Sequence, residues 1–272
     1  MRVCGVGDNV VDRYFNQKLM FPGGNAVNFA VHAQRSGLSA AYLGVIGTDS
    51  DGDLIRSSLQ AEGVELTRLR VKEGPNAFAT VHMDDDGNNR VWGLCEKGVS
   101  MFKLDSADLE YLAGFDLAHT GETSQLDSQL PEIRERVAIS FDFSDRSLDY
   151  AADVLPYVKV AAFSRSNASD DEVKHVLDTA LSAGVELVTV TQGARGATVC
   201  HKGNVLFAPA VPVDAVDTLG AGDAFLSRLV CRVLTGASLK DAASDGAQYA
   251  AHICGTRGAF GHARTITREI PA

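Results

Sequence analysis

The chain has 272 residues, 45% of them hydrophobic and 22% charged, enough for one large α/β domain with a sizeable buried core. A net charge of −10 argues against a nucleic-acid or acidic-membrane surface, so a site for an anion has to be built locally from backbone amides and a few cations. Five dispersed cysteines without metal or disulfide spacing, no apolar run of membrane length and no signal-peptide core predict a soluble, cytoplasmic protein.

In chain order, "RVCGV" (2–6) predicts a first strand, and "GDNVVD" at its end offers Asp8, Asn9 and Asp12. This is not the dinucleotide fingerprint, because Val10 stands where the third glycine is required. "FPGGNAVNFAVH" then places Gly23 and Gly24 before a helix carrying Asn25 and Asn28. Three positions apart, those two amides share a face and suit a hydroxyl-rich ligand, although Asn25 also reads as a helix cap. A strand over 40–46 and a helix over 53–63 follow.

The segment 76–96 breaks the rhythm with two strands around an Asp-Gly-Asn turn, either a lid or a plain antiparallel edge. The acidic run Asp84, Asp85, Asp86 reads as its solvated tip, and Arg90, Trp92 and Glu96 share a face if the strand is regular. Strands over 115–120, 137–143, 158–163 and 186–191, with a helix over 171–184, then complete a set of βαβ units. Such units imply a mostly parallel sheet covered on both faces, with ligands beyond the carboxyl ends of the strands. His119 and Glu122 fall at one of those strand ends, and the remaining histidines form no ligand pair and read as packed or solvated.

Near the C-terminus "DTLGAGD" (217–223) opens a helix over 224–236. Gly220, Ala221 and Gly222 can aim amides at a phosphate, and Asp223 sits in the first turn. There the helix dipole is expected to keep its carboxylate ionised and able to take a proton. An amide cradle beside a carboxylate base is what phosphoryl transfer to an alcohol requires. Taken alone, the stretch also reads as a glycine turn with an acid stabilising a helix start. No G-x-x-x-x-G-K-[ST] loop occurs, so a kinase built on this chain is not of the P-loop class.

"GGNAVNFA", "LGVIGTDSDG" (43–52) and "DTLGAGD" stand in the order and approximate spacing found in ribokinase-like sugar kinases. The chain resembles this PfkB family over residues 1 to about 260. The resemblance implies an ATP-dependent carbohydrate kinase with a ribokinase-like, mostly parallel sheet, helices on both faces and a small β-sheet lid. The lid would come from about 12–21 and 76–96, within one domain over 1–272. By matching position, Asp223 is the expected base, Gly220, Ala221 and Gly222 the anion hole, and Asp12, Gly24 and Asn28 the sugar contacts. Asn25 and Glu122 are expected to add to those contacts.

Thr191, Gly193 and Gly196 resemble the strand end and turn lining the nucleotide, with Arg195 adding positive charge, and Gly258 falls where the family closes over adenine. ATP and Mg2+ are the implied cofactors. Asp217 resembles a monovalent-cation ligand of potassium-activated members, which leaves K+ as an optional third. Within the family, "GDNVVDRY", "GGNAVN", "RVWG" and "FDFSD" are similar to the branch that phosphorylates fructoselysine at C6. The expected acceptor is therefore a fructosamine, with Arg90, Trp92 and Glu96 reading its amino-acid part.

A kinase of ribose, fructose or a nucleoside is the alternative, as is a non-catalytic sugar sensor on the same fold. Exposed lid edges suit a homodimer formed through the lid, with a monomer as the other outcome. Two departures from the family pattern stand out. "SRSNASDDE" with Arg165 and Asn167 replaces an Asn-x-x-Glu motif that organises magnesium, and Ser144 replaces an asparagine in "FDFSDR", where Asp142 and Arg146 fit.

Overall fold

The computed structural model describes residues 1–83 and 90–266. From the N-terminus run β1 (Arg2–Val6), β2 (Val10–Tyr14), β3 (Leu19–Gly23), α1 (Asn25–Arg35), β4 (Ser39–Ile46), α2 (Ser50–Ala61), β5 (Leu69–Val71), β6 (Phe78–Met83) and β7 (Arg90–Glu96). The chain continues through α3 (Ser106–Leu112), β8 (Leu117–Gly121), α4 (Leu130–Arg134), β9 (Ala138–Asp142), α5 (Leu148–Val154), β10 (Val160–Ser164) and α6 (Asp170–Ser182). It ends with β11 (Leu187–Thr191), β12 (Gly196–His201), β13 (Asn204–Pro209), α7 (Ala221–Leu234), α8 (Leu239–Cys254) and β14 (Arg264–Thr265).

The main sheet has nine strands in the order β13-β12-β11-β10-β9-β8-β1-β4-β5. It is parallel from β11 to β5, and β12 and β13 add an antiparallel edge. Its strands are nearly continuous apolar runs because both faces are covered. On one face α3 to α6 bury Leu112, Ile133, Ala151 and Val176 against Val6, Leu43, Ile139 and Phe141. On the other, Phe29 of α1 joins Leu226, Leu229 and Ala243 of α7 and α8 over Val3, Leu117 and Val199.

A second sheet of five strands, β14-β3-β2-β6-β7, stands apart from the first. One of its faces packs Val11, Met20 and Phe78 against α1 and α2, and Arg13 is anchored there by an ion pair with buried Asp51 at 2.5 Å. The opposite face carries Asp12, Tyr14, Val81 and Trp92, paired in register as neighbours. A β-bulge interrupts β6–β7 between Ala79 and Val81, so that Val81 faces Trp92 while Phe78 faces Glu96. The strand is therefore not regular. The extra residue moves Glu96 to the face opposite Trp92, and the shared face expected of these residues is lost. Arg90 opens β7, with its side chain outside the described part of the structure, as is the acidic run 84–86.

Candidate active site

Most helices start on a side-chain cap: Asp49 for α2, Asp105 for α3, Ser147 for α5, Ser169 for α6 and Ser238 for α8. Helices α1 and α7 start instead on Gly24 and Gly220 with no side-chain cap, which leaves their first amides facing the cleft between the two sheets. Gly220 has φ +74°, and a Cβ there would lie 2.5 Å from that of Ala259, so only glycine fits. Of the expected anion hole, Ala221 already donates its N–H to the Thr218 carbonyl at 3.3 Å. The amides of Gly222 and Asp223 lie in the first turn, which has no intrahelical acceptor.

The cleft holds a cavity of about 280 Å³. Asp12, Gly24, Asn25, Asn28, Glu122 and Asp223 all line it, although Asn28 and Asp223 are 195 residues apart. Asp8, Trp92, Asp142 and Ser144 complete the wall, so five carboxylates surround one small space. Glu122 is held at its rim by Arg146, at 2.7 Å.

Asp223 accepts hydrogen bonds from Asn28 Nδ2 at 2.6 Å and Asn25 Nδ2 at 2.9 Å. The same Asn25 nitrogen donates to Asp142 Oδ2 at 2.9 Å, which bridges the two acids. Burial pushes the Asp223 carboxyl up to about 6, against the lowering effect of the two amides. The helix dipole does not hold it at the ordinary value, because desolvation in the cleft outweighs it. Asp142 is pushed up to about 7 by burial and then by the charge of Asp223. One acid of the pair thus stays ionised at neutral pH and can receive a proton. Behind them His119 is fully buried, stacked on Phe29 with ring centroids 4.1 Å apart, and does not line the cleft. Its position as a buried second layer was not legible from its place at a strand end.

The expected nucleotide residues gather at the carboxyl end of β11. Thr191 closes that strand, Gly193 and Arg195 form the turn after it, and Gly196 opens β12. Arg195 donates to the Ala168 carbonyl at 2.8 Å, toward α6. Gly258 contacts other parts, its N–H donating to Asp217 Oδ2 at 3.0 Å. Asp217 is 2% exposed, and its carboxylate also accepts from Tyr14 Oη at 2.6 Å and Leu219 N at 2.9 Å. Among the described residues these donors make it a strut between β2 and the turn into α7.

Arg165 occupies the end of β10, where the magnesium motif is missing. Its N–H bonds Thr191 O at 2.8 Å, and its guanidinium donates to the carbonyls of Ser144, Ser164 and Arg146. Among the described residues no group of three His, Cys, Asp or Glu side chains is arranged to hold a metal ion. A magnesium ion would then be carried largely on nucleotide phosphates and water.

A profile described as "pfkB family carbohydrate kinase" matches residues 8–265. A "Fructosamine kinase FrlD" of Bacillus subtilis (strain 168) is 37% identical over 267 residues, covering 96% of this chain and 94% of that protein. A "Fructoselysine 6-kinase" of Escherichia coli (strain K12) is 29% identical, covering 94% and 98%. Among solved structures, Arabidopsis thaliana ribokinase complexed with ribose and ATP superposes with a TM-score of 0.81 at 19% identity, covering 95% of this chain and 94% of that one. That likeness establishes the ribokinase-like fold.

Proposed function

The chain belongs to the pfkB family of carbohydrate kinases, and from that premise we propose that it transfers the γ-phosphate of MgATP to the C6 hydroxyl of a fructosamine such as fructoselysine. The observation that carries this reading is Asp223, ionisable near neutrality, held by Asn25 and Asn28 at the open N-terminus of α7 inside the cleft. The names of the two curated relatives support the acceptor, and a wall of five carboxylates suits a substrate that carries an amine.

In this reading Asp12, Gly24, Asn28 and Glu122 hold the sugar, Asn25 holds the acids, and Trp92 of β7 faces the amino-acid part. The C6 oxygen bonds to the γ-phosphorus as the bond from phosphorus to the bridging oxygen breaks, its proton passes to Asp223, and ADP leaves. Amides of Gly220 and Gly222 oppose the charge on the transferring group. Thr191, Gly193, Gly196 and Gly258 line the nucleotide. The smaller sheet acts as a lid that excludes water, and its exposed Trp92 and Leu94 on edge strand β7 suit pairing with a second copy.

ADP release by the wild type and Asp223→Asn, with fructoselysine, fructose, ribose and adenosine offered separately, tests both substrate and base. Turnover on fructoselysine alone, lost by about a hundredfold or more in the variant, is the expected result. Turnover confined to a plain sugar or nucleoside overturns the fructosamine assignment and keeps the family chemistry. A fully active Asp223→Asn protein overturns the base.

A further inference from the structure

Behind the cleft wall lies a chain of hydrogen bonds that the transfer step itself does not use. Asn25 Nδ2 donates to Asp142 and Asp223 at 2.9 Å each, which commits both of its hydrogens. Its Oδ1 is then turned inward, 2.9 Å from His119 Nε2. An amide oxygen can only accept, so His119 carries its proton on Nε2 and its Nδ1 is the acceptor. Ser140 Oγ meets that Nδ1 at 2.9 Å and donates to it. His119 and Ser140 are fully buried, and burial holds the imidazole far below its ordinary range, at about 3, so the ring is neutral at any working pH.

The surroundings keep this arrangement in place. Phe29 stacks on the imidazole with an interplanar angle of 18°. Gly121, two residues beyond His119, leaves the space that Asn25 fills: a Cβ there would lie 2.7 Å from Asn25 Oδ1 and 3.1 Å from the Asp142 carbonyl oxygen. Without the donor at Nε2, the Asn25 amide could rotate and set its oxygen against the carboxylates, a repulsive contact. A donor on Asp223 favours the ionised base, so that rotation removes both its position and part of its acidity.

We propose that His119 is a positioning residue for phosphoryl transfer, acting through Asn25 to orient Asp223 and keep it ionised. The inference rests on Asp223 being the base, and its test is read on whichever sugar the enzyme turns over, so a wrong acceptor leaves it intact. A base assignment that fails shows separately, as an active Asp223→Asn protein.

Two amides separate position from packing. In His119→Gln the amide nitrogen can reach Asn25, whereas in His119→Asn it falls short, near the place of Nδ1. With folding confirmed by thermal melts, His119→Gln should keep kcat within about threefold of the wild type. His119→Asn should lose about tenfold to a hundredfold in kcat with an unchanged KM for MgATP. The acid limb of its kcat/KM profile should move to higher pH by about half a unit or more. Equal losses in both variants with an unmoved acid limb, or no loss in either, overturn the proposal. If His119→Asn does not fold, His119→Met decides, because its side chain fills much of the same space and offers Asn25 no donor. An upward-shifted limb supports the role, and an unmoved limb overturns it.

Discussion

A single acid carries the chemistry proposed here, and what sets its behaviour is its partners rather than its place in a motif. Asp223 stood out in sequence because Gly-Ala-Gly precedes it at a helix start. That it should titrate near 6 could not be read there, since the cause is burial in a cleft whose other wall comes from β9 and α1. Asp142, at about 7, was visible only as part of "FDFSD". The two acids share one amide donor, so they titrate as a pair. Both are raised, so each takes up a proton at a higher pH than a free carboxyl, and the ionised base is lost as pH falls. We expect kcat/KM to be level above about pH 7.5 and to fall through an acid limb between about 6 and 7. Asn28→Ala should push that limb upward, because the Asn28 amide favours the charged form of Asp223. A limb near pH 4 in the wild type would mean that neither acid governs the rate.

Among the elements, the alternation of apolar runs and amphipathic helices was legible wherever the pattern was strong, as in β1, β4, α1, α2, α6 and α7. Helix α8 was missed, because small residues, Ala242, Ala243 and Gly246, take the place of large apolar ones on much of its buried face. The glycine has a packing reason: a Cβ there would sit 3.1 Å from the Phe225 ring, tighter than ordinary contact, so its absence favours the close crossing of α7 and α8. The β12–β13 pair and the bulge in β6–β7 were missed because each depends on cross-strand register, which no single strand reveals.

The start of α7 is the element on which function depends most directly. Gly220→Ala would force an L residue into φ +74° and drive its methyl into Ala259. A cost of about 1–3 kcal/mol is expected, with a lower Tm. The turn would shift to relieve the clash and carry the amides with it, so kcat should fall at temperatures where the variant remains folded. A variant with lowered Tm but wild-type kcat would show that those amides do not contact the transferring group.

At the scale of the whole molecule, burying ionisable groups gives the fold opposing responses to acid. His32 is fully buried between α1 and α8, its Nδ1 3.0 Å from Tyr249 Oη. Burial pushes it down to about 3, as it does His119. Below about pH 6.5 the unfolded chain protonates each imidazole while the folded chain does not, so each term lowers stability as pH falls toward 3. The cleft acids act in the other direction. With folded values of about 6 and 7, they bind protons that the unfolded chain has already released, so their ionisation costs stability as pH rises above about 4. Over the same window the two pairs offset each other, and removing one member should expose the slope. His32→Leu loses one hydrogen bond, a cost that does not depend on pH, and also removes one proton-linked term. Measured by urea unfolding at pH 7.5 and 4.5, the variant should gain about 2–3 kcal/mol relative to the wild type on going to the lower pH. A difference between the two proteins that stays constant across that range would mean that His32 protonates in the folded state, and that the packing of α8 on α1 opens to admit the charge.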